Sequence, residues 1–270
     1  MILITGGSGQ LSTLIARGAM DANLDICIGS RLADEVNPRR RRIDFDDPDT
    51  LDFTDIETLM MISAGYAEDD VVIRRHEAVI AAAVRARVRH VVYTSLSGTG
   101  DHLAFSLAHR WTETRLKDSG LAWTILRNGL YAELIGALAA PVNGVIRAPF
   151  GTVPISPVAR EDLADATVTV LRDPKAHAGV IYELSGAEAW SVADLAELLG
   201  AAYQPSSLEQ VRASLASAPL KSFQPPMLMS IYSSAAAGFL QAESTDLSAL
   251  ISHPPRQTLS IAAEAARSAG

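Results

Sequence analysis

Residues 1–12 read Met1-Ile2-Leu3-Ile4-Thr5-Gly6-Gly7-Ser8-Gly9-Gln10-Leu11-Ser12, and this stretch decides the fold class. Met1–Thr5 has the apolar character of a buried strand, and Leu11–Asp21 carries apolar residues at helical spacing. A glycine turn joins the two. Gly6 permits the tight turn, and Gly9 keeps a Cβ out of the path of an approaching pyrophosphate. The free N–H groups and the positive dipole end of the helix then hold the anion. The spacing is G-x-x-G-x-x-S, which differs from the G-x-G-x-x-G of ordinary dinucleotide dehydrogenases. Ser12 stands where a third glycine normally lets helix and strand pack closely. Serine is small, so a modest packing change with retained binding is expected.

Outward from this unit, β-rich apolar runs alternate with helical segments, the pattern of a parallel sheet with crossover helices. Strands are predicted at Asp25–Gly29, Arg42–Phe45, Leu59–Ser63, His90–Thr94, Trp123–Arg127 and Val180–Leu184, and helices at Asp69–Ala86, Leu107–Asp118 and Arg160–Leu171. After Gly186 the texture becomes helical, with Pro- and Ser-rich joints between Ser191–Leu199, Ser206–Ala218, Phe223–Leu240 and Gln257–Ala266. The expected architecture is an α/β Rossmann-type doubly wound parallel sheet with a smaller, mostly helical C-terminal substrate lobe. The nucleotide domain is expected over 1–130 plus 156–186, and the substrate lobe over 131–155 plus 187–270.

The chain has 270 residues, 48% hydrophobic and 20% charged, which is globular composition. Its net charge of −8 opposes non-specific nucleic-acid binding. No apolar run is long enough for a membrane span, and a single cysteine, Cys27, excludes a disulfide framework. A cytoplasmic protein is expected, with no metal because no histidine has a second ligand at metal-binding spacing. After the second strand the chain reads Gly29-Ser30-Arg31, where NAD-selective folds place an acid. A hydroxyl and a guanidinium suit a 2′-phosphate, so NADP is the expected cofactor, with Arg39–Arg42 nearby in sequence.

Together these residues resemble the NmrA-like atypical short-chain dehydrogenase/reductase family, in its quinone oxidoreductase type 2 and triphenylmethane reductase branches. The segments that carry the resemblance are ITGGSGQL (4–11), HVVYTSL (90–96), HRWTETRLKDSGL (109–121), TILRNGLY (124–131) and VAREDLADA (158–166). IYELSG (181–186) and ISHPPRQTL (251–259) extend it nearly to the C-terminus. The resemblance implies NADPH as hydride donor and a quinone or related aromatic, conjugated acceptor as substrate. It implies Gly6, Ser8, Gly9, Gln10 and Leu11 at the pyrophosphate, Arg31 at the 2′-phosphate, and Asp44 and Phe45 beside the adenine. Ser63, Ala64 and Gly65, with Thr94, Ser95 and Leu96, would line the ribose and nicotinamide. Asn128, Gly129 and Tyr131 would face the nicotinamide and the acceptor.

Two departures accompany it. None of the six tyrosines has a lysine four residues on, so the Tyr-x-x-x-Lys acid of standard short-chain dehydrogenases is absent. Quinone reduction needs less acid catalysis, because the developing hydroquinone oxygen is a stabilised phenolate, and orientation of the donor supplies much of the rate. The stretches Leu32–Arg41 and Asp46–Thr58 are also short for the family, which trims the sheet edge at the adenine pocket. His109, Tyr131 and Ser95 are the catalytic candidates; His109 is a ribose-binding or proton-delivering group, or a structural residue. Thr112 and Glu113 are expected to orient neighbours, and His76 to be a core residue on the apolar face of its helix. An NADPH-dependent reductase is the leading reading. A redox sensor that binds NADP(H) without turnover and a non-redox biosynthetic enzyme are the alternatives, and a homodimer is compatible with the sequence.

Overall fold

A computed structural model of the chain describes residues 1–32 and 39–269. Residues 33–38, part of the shortened 32–41 stretch, lie outside the described residues. The chain divides into two compact units. The first comprises Met1–Leu96, Leu107–Arg127 and Leu163–Tyr182; the second comprises Ser97–Ser106, Asn128–Asp162 and Glu183–Gly270. The segment Ser97–Ser106, expected with the nucleotide domain, groups with the second unit. Hydrogen bonds from Gly98 N to Glu183 Oε2 (2.8 Å) and from Ala104 N to Ser230 Oγ (3.0 Å) hold it there.

The main sheet contains β1 (Ile2–Ile4), β2 (Ile26–Ser30), β3 (Arg40–Arg42), β4 (Thr58–Met61), β5 (His90–Leu96), β6 (Ala122–Asn128) and a last strand, Val180–Leu184. Their order is β3-β2-β1-β4-β5-β6 followed by Val180–Leu184. β1 pairs in parallel with both β2 and β4, β3 adds in parallel to β2, and β5 to β4. The doubly wound parallel sheet is therefore present. The strand order reverses between β1 and β4, and ligands of open α/β sheets bind beyond the carboxyl ends of strands at such a point.

Helix α1 (Gln10–Asp21) buries Leu11, Ile15, Ala16 and Ala19, the face its periodicity predicts. Helix α2 (Asp69–Arg85) buries Val72, His76, Val79, Ile80 and Ala83. Of these, Val79, Ile80 and Ala83 join Leu3, Cys27, Leu59, Tyr93, Leu116 and Ile125 in an apolar core of the first unit. Helix α3 (Ser106–Lys117) follows β5.

The third strand is not Arg42–Phe45 but Arg40–Arg42, so the arginine run forms the sheet's edge. Arg41 donates to the carbonyls of Asp52 (3.3 Å) and Thr54 (2.9 Å), Arg39 pairs with Asp25 (3.5 Å) and Arg42 with Asp47 (3.3 Å). These charges stud an edge that would otherwise template strand pairing.

In the second unit, α4 (Ala132–Leu138) is followed by β7 (Val145–Ile146) and, after α5 (Arg160–Arg172), whose first turn belongs here, by β8, the Val180–Leu184 strand of the main sheet. Then come α6 (Val192–Leu199), β9 (Ala202–Tyr203), α7 (Leu208–Ser217), α8 (Gln224–Ala236), α9 (Asp246–Leu250) and α10 (Thr258–Ala269). Helix α6 starts at a capping box of Ser191 and Asp194 and stops at Gly200, whose φ is +64°. Helix α7 starts at a second box, Ser207 with Gln210. The parallel pair β7–β9, which the sequence reading does not contain, is only two residues long on each side.

Candidate functional site

Thr5 closes the turn at the end of β1. Its hydroxyl donates to Met60 O (3.2 Å) and accepts from Ile62 N (2.9 Å), which fixes the ends of β1 and β4 side by side. Gly6 follows at φ +69°, a left-handed conformation that favours glycine. Gly7 N donates to Gly29 O (2.9 Å), and a Cβ on Gly7 would stand 2.4 Å from Ile28 Cγ2. Glycine is needed there for packing.

Gly9 differs from Gly7. It caps α1 at an ordinary φ of −83°, and a Cβ there would meet only the Gly6 carbonyl oxygen, at 3.2 Å. No side chain caps the helix and no acid occupies its first turn, so among the described residues the amides at the start of α1 meet no capping acceptor and no repelling charge. Ser8, Gly9 and Gln10 are exposed, while Leu11 is buried under the helix. Such a cradle fits a pyrophosphate. Ser12 keeps the close packing of the missing glycine by donating to Thr5 O (3.1 Å).

The loop after β4 is held by α2. Ala64 N donates to His76 Nε2 (3.1 Å), and His76 Nδ1 hydrogen-bonds Thr112 Oγ1 (2.8 Å), whose hydroxyl donates to Ala108 O (2.7 Å). An accepting Nε2 places the ring proton on Nδ1. Burial, helped by the charges of His109 and Arg75, pushes the His76 pKa down to about 3, so the ring is neutral. His76 is the core residue expected, and it also positions Ala64. Arg75, its neighbour, donates to Ala64 O (3.4 Å). Ser63 N donates to Thr94 Oγ1 (2.9 Å), which binds this loop to β5, and Gly65 is exposed.

Next to Thr94 at the same end of β5, Ser95 Oγ donates to Glu113 Oε1 (2.6 Å). Glu113, on α3, also accepts from Arg110 Nη1 (2.8 Å) and from Arg127 at both oxygens (2.9 and 2.7 Å). Arg110 reaches on to Leu96 O (2.8 Å). Burial raises the Glu113 carboxyl pKa, but the hydrogen bonds from Arg127 and Ser95 outweigh it and the net shift is downward. The Ser95 proton is thus committed to a buried carboxylate. Arg110 and Arg127 do not figure among the residues picked from the sequence; the signal was a lone arginine closing the apolar run Trp123–Leu126.

His109 lies four residues before Glu113 and is half-buried. Its Nδ1 and the Tyr93 hydroxyl are hydrogen-bonded at 2.9 Å. Burial first, then the Arg110 charge, lowers the His109 pKa to about 4, and burial raises that of Tyr93. Both are neutral at physiological pH. His109 can therefore offer or accept a hydrogen bond but holds no stored proton to deliver.

Asn128, Gly129 and Tyr131 belong to the second unit. Asn128 is buried, and among the described residues its Oδ1 has no hydrogen-bond partner, an orphan that a carboxamide N–H of a ligand would satisfy. Gly129 N donates to Leu184 O (2.8 Å). The Tyr131 ring lies under the Arg160 guanidinium, 4.6 Å from its centroid. Burial raises the Tyr131 pKa against the lowering by Arg160 and Asn128, so its hydroxyl stays a donor. The same unit encloses a small cavity between Ser97, Gly129, Ile155 and Ser185.

Arg31 is exposed just past β2, and among the described residues it makes no ion pair. Asp44 N donates to Thr50 Oγ1 (2.8 Å), and Phe45 packs half-buried against the core of the first unit. These two lie in the loop after β3 rather than within the strand.

Fold and loop define a dinucleotide-binding α/β protein. A family model of NAD(P)H-binding proteins matches residues 6–174, and the chain belongs to that NAD(P)H-binding, NmrA-like family. It is 33% identical to quinone oxidoreductase 2 of Escherichia coli over 94% of both chains. Among solved structures it resembles the Citrobacter sp. triphenylmethane reductase complexed with NADP(H), with a TM-score of 0.86, 25% identity and coverage of 100% and 99%. It also resembles the E. coli NADPH-dependent quinone oxidoreductase complexed with NADPH, with a TM-score of 0.84, 30% identity and coverage of 98% and 99%.

Proposed function

We propose that the chain is an NADPH-dependent oxidoreductase that transfers hydride to a quinone or a related conjugated carbonyl acceptor. The observation that carries the reading is the uncapped N-terminus of α1 behind Gly9, where the backbone offers amides to an anion and no side chain among the described residues caps them. The exposed Arg31, in place of the usual acid, supports the 2′-phosphorylated form. Similarity over 94% of the length of a quinone oxidoreductase supports the acceptor class. Bound NADPH supplies the hydride.

The chain's own residues bind and orient. Gly6, Ser8, Gly9, Gln10 and Leu11 hold the pyrophosphate, and Asp44 and Phe45 flank the adenine. Ser63–Gly65 and Thr94–Leu96, fixed by His76 and Glu113, form the wall for the ribose and nicotinamide. Asn128 accepts from the carboxamide. His109 and Tyr131 act as neutral hydrogen-bond groups, and the proton on the product oxygen comes from solvent, in keeping with the missing Tyr-x-x-x-Lys pair. Ser95 contributes by fixing the end of β5.

The test is NADPH oxidation by the purified chain with a panel of quinones, triphenylmethane dyes and enones, alongside dinucleotide titration. Turnover that Gly9→Val abolishes is expected. Tight NADPH binding with no turnover on any acceptor would replace this reading with that of a dinucleotide sensor.

A further inference from the structure

Asp46 lies two residues beyond Asp44, in the loop that leaves β3. Ser30 pairs with Arg42 across β2 and β3, and Ile43 N donates to Ser30 O (3.0 Å), so this loop and the Arg31 turn leave the sheet side by side. An acid here is the wrong charge for a phosphorylated ribose. It would repel the phosphate and compete for Arg31. The structure shows where that acid goes. Arg75 Nε donates to Asp46 Oδ1 (2.7 Å) and Arg75 Nη2 to Oδ2 (2.6 Å), a bidentate pair that occupies both oxygens.

Arg75 is the better anchored partner. Its side chain is 19% exposed against 48% for Asp46, and its remaining Nη1 holds Ala64 O (3.4 Å). His76, next on α2, holds Ala64 N. One guanidinium therefore links the loop after β3 to the loop after β4. The neighbouring acid, Asp47, pairs with Arg42 (3.3 Å), while Arg31 is left without an ion pair among the described residues. The charge of Arg31, like that of Arg74, reaches Asp46 and adds to the lowering of its pKa, after the hydrogen bond from Arg75.

We propose that Arg75 is a specificity-determining residue: by occupying and neutralising Asp46 it leaves Arg31 to a 2′-phosphate and sets the preference for NADPH over NADH. This rests on the NADPH reading above, but it concerns binding alone and needs no acceptor.

The experiment is a fluorescence titration of NADPH and of NADH against the full chain, as wild type, Arg75→Met, Asp46→Asn and the double variant, each checked for fold by circular dichroism. Arg75→Met is expected to weaken NADPH about tenfold and NADH less than about twofold, the size of one uncompensated charge beside the phosphate. Adding Asp46→Asn should restore NADPH to within about threefold of wild type, since the offending charge is then gone. Equal losses for both dinucleotides, or no recovery in the double variant, would overturn the proposal and leave Arg75 a structural brace. Asp46→Asn alone keeps the test open if Arg75→Met does not fold: NADPH as tight as wild type or tighter is expected, and a tenfold loss would overturn it. A wild type that prefers NADPH but reduces no quinone removes the acceptor reading and leaves this one standing.

Discussion

At the scale of single residues, the site pairs groups whose charge states are set by burial. His109 is neutral above about pH 4, so its imidazole does not titrate where an ordinary histidine would. The turnover rate should accordingly be flat from about pH 5.5 to 8, with no inflection near 6.5. An inflection there, absent in His109→Phe, would show the ring charging during the cycle. His109→Phe itself should lower kcat about tenfold, as loss of one hydrogen bond in a desolvated site does, with dinucleotide affinity little changed. An unchanged kcat would leave the histidine a packing partner of Tyr93. The burial of His76 was legible, because a histidine in phase with Val72, Val79, Ile80 and Ala83 must face the core. Its grip on Ala64 was not, because sequence spacing says nothing about which backbone amide a ring nitrogen meets.

At the scale of elements, β5, α3 and β6 are joined through one carboxylate. Glu113 is 3% exposed and holds Arg110, Arg127 and Ser95 together. Glu113→Leu should destabilise the chain by about 3–5 kcal/mol, because it removes the buried carboxylate that two partly buried guanidinium groups share. Arg127→Met combined with Glu113→Leu should cost less than the sum of the two, and urea denaturation of the four proteins measures the difference. Additive costs would mean that the pair is solvated and uncoupled. Long periodic elements such as α2 were legible from their apolar stripe. The edge strand starts two residues and ends three residues before the expected Arg42–Phe45, because three consecutive arginines carry no strand signal and its pairing comes from β2. The pair β7–β9 was invisible for a related reason: two-residue strands have no period to detect.

At the scale of the whole molecule, three histidines whose pKa is lowered by burial make acid stability a property of the fold. His76 and His109 are held near 3 and 4, and His90, whose Nε2 hydrogen-bonds Thr124 Oγ1 at 2.8 Å, is lowered to about 4 by burial and then by His177. In the unfolded chain each binds a proton near pH 6.5, while in the folded chain none does until far lower. The unfolded state therefore holds more protons between those values, so stability is fully present above about pH 6.5 and is lost as the pH falls toward 4. Each histidine contributes about 1.4 kcal/mol per pH unit once well inside that window, before carboxylates begin to titrate. The urea midpoint should thus fall steeply from about pH 6.5 to 5 and stay level from about 7 to 8. His90→Gln, which keeps a donor for Thr124, should lower the midpoint at neutral pH yet make the acid slope shallower by about a third, since one of three linked protons is removed. A midpoint independent of pH across that interval would mean that these rings are protonated in the folded state, and the neutral tautomer assigned to His76, on which the placement of Ala64 depends, would fall with it.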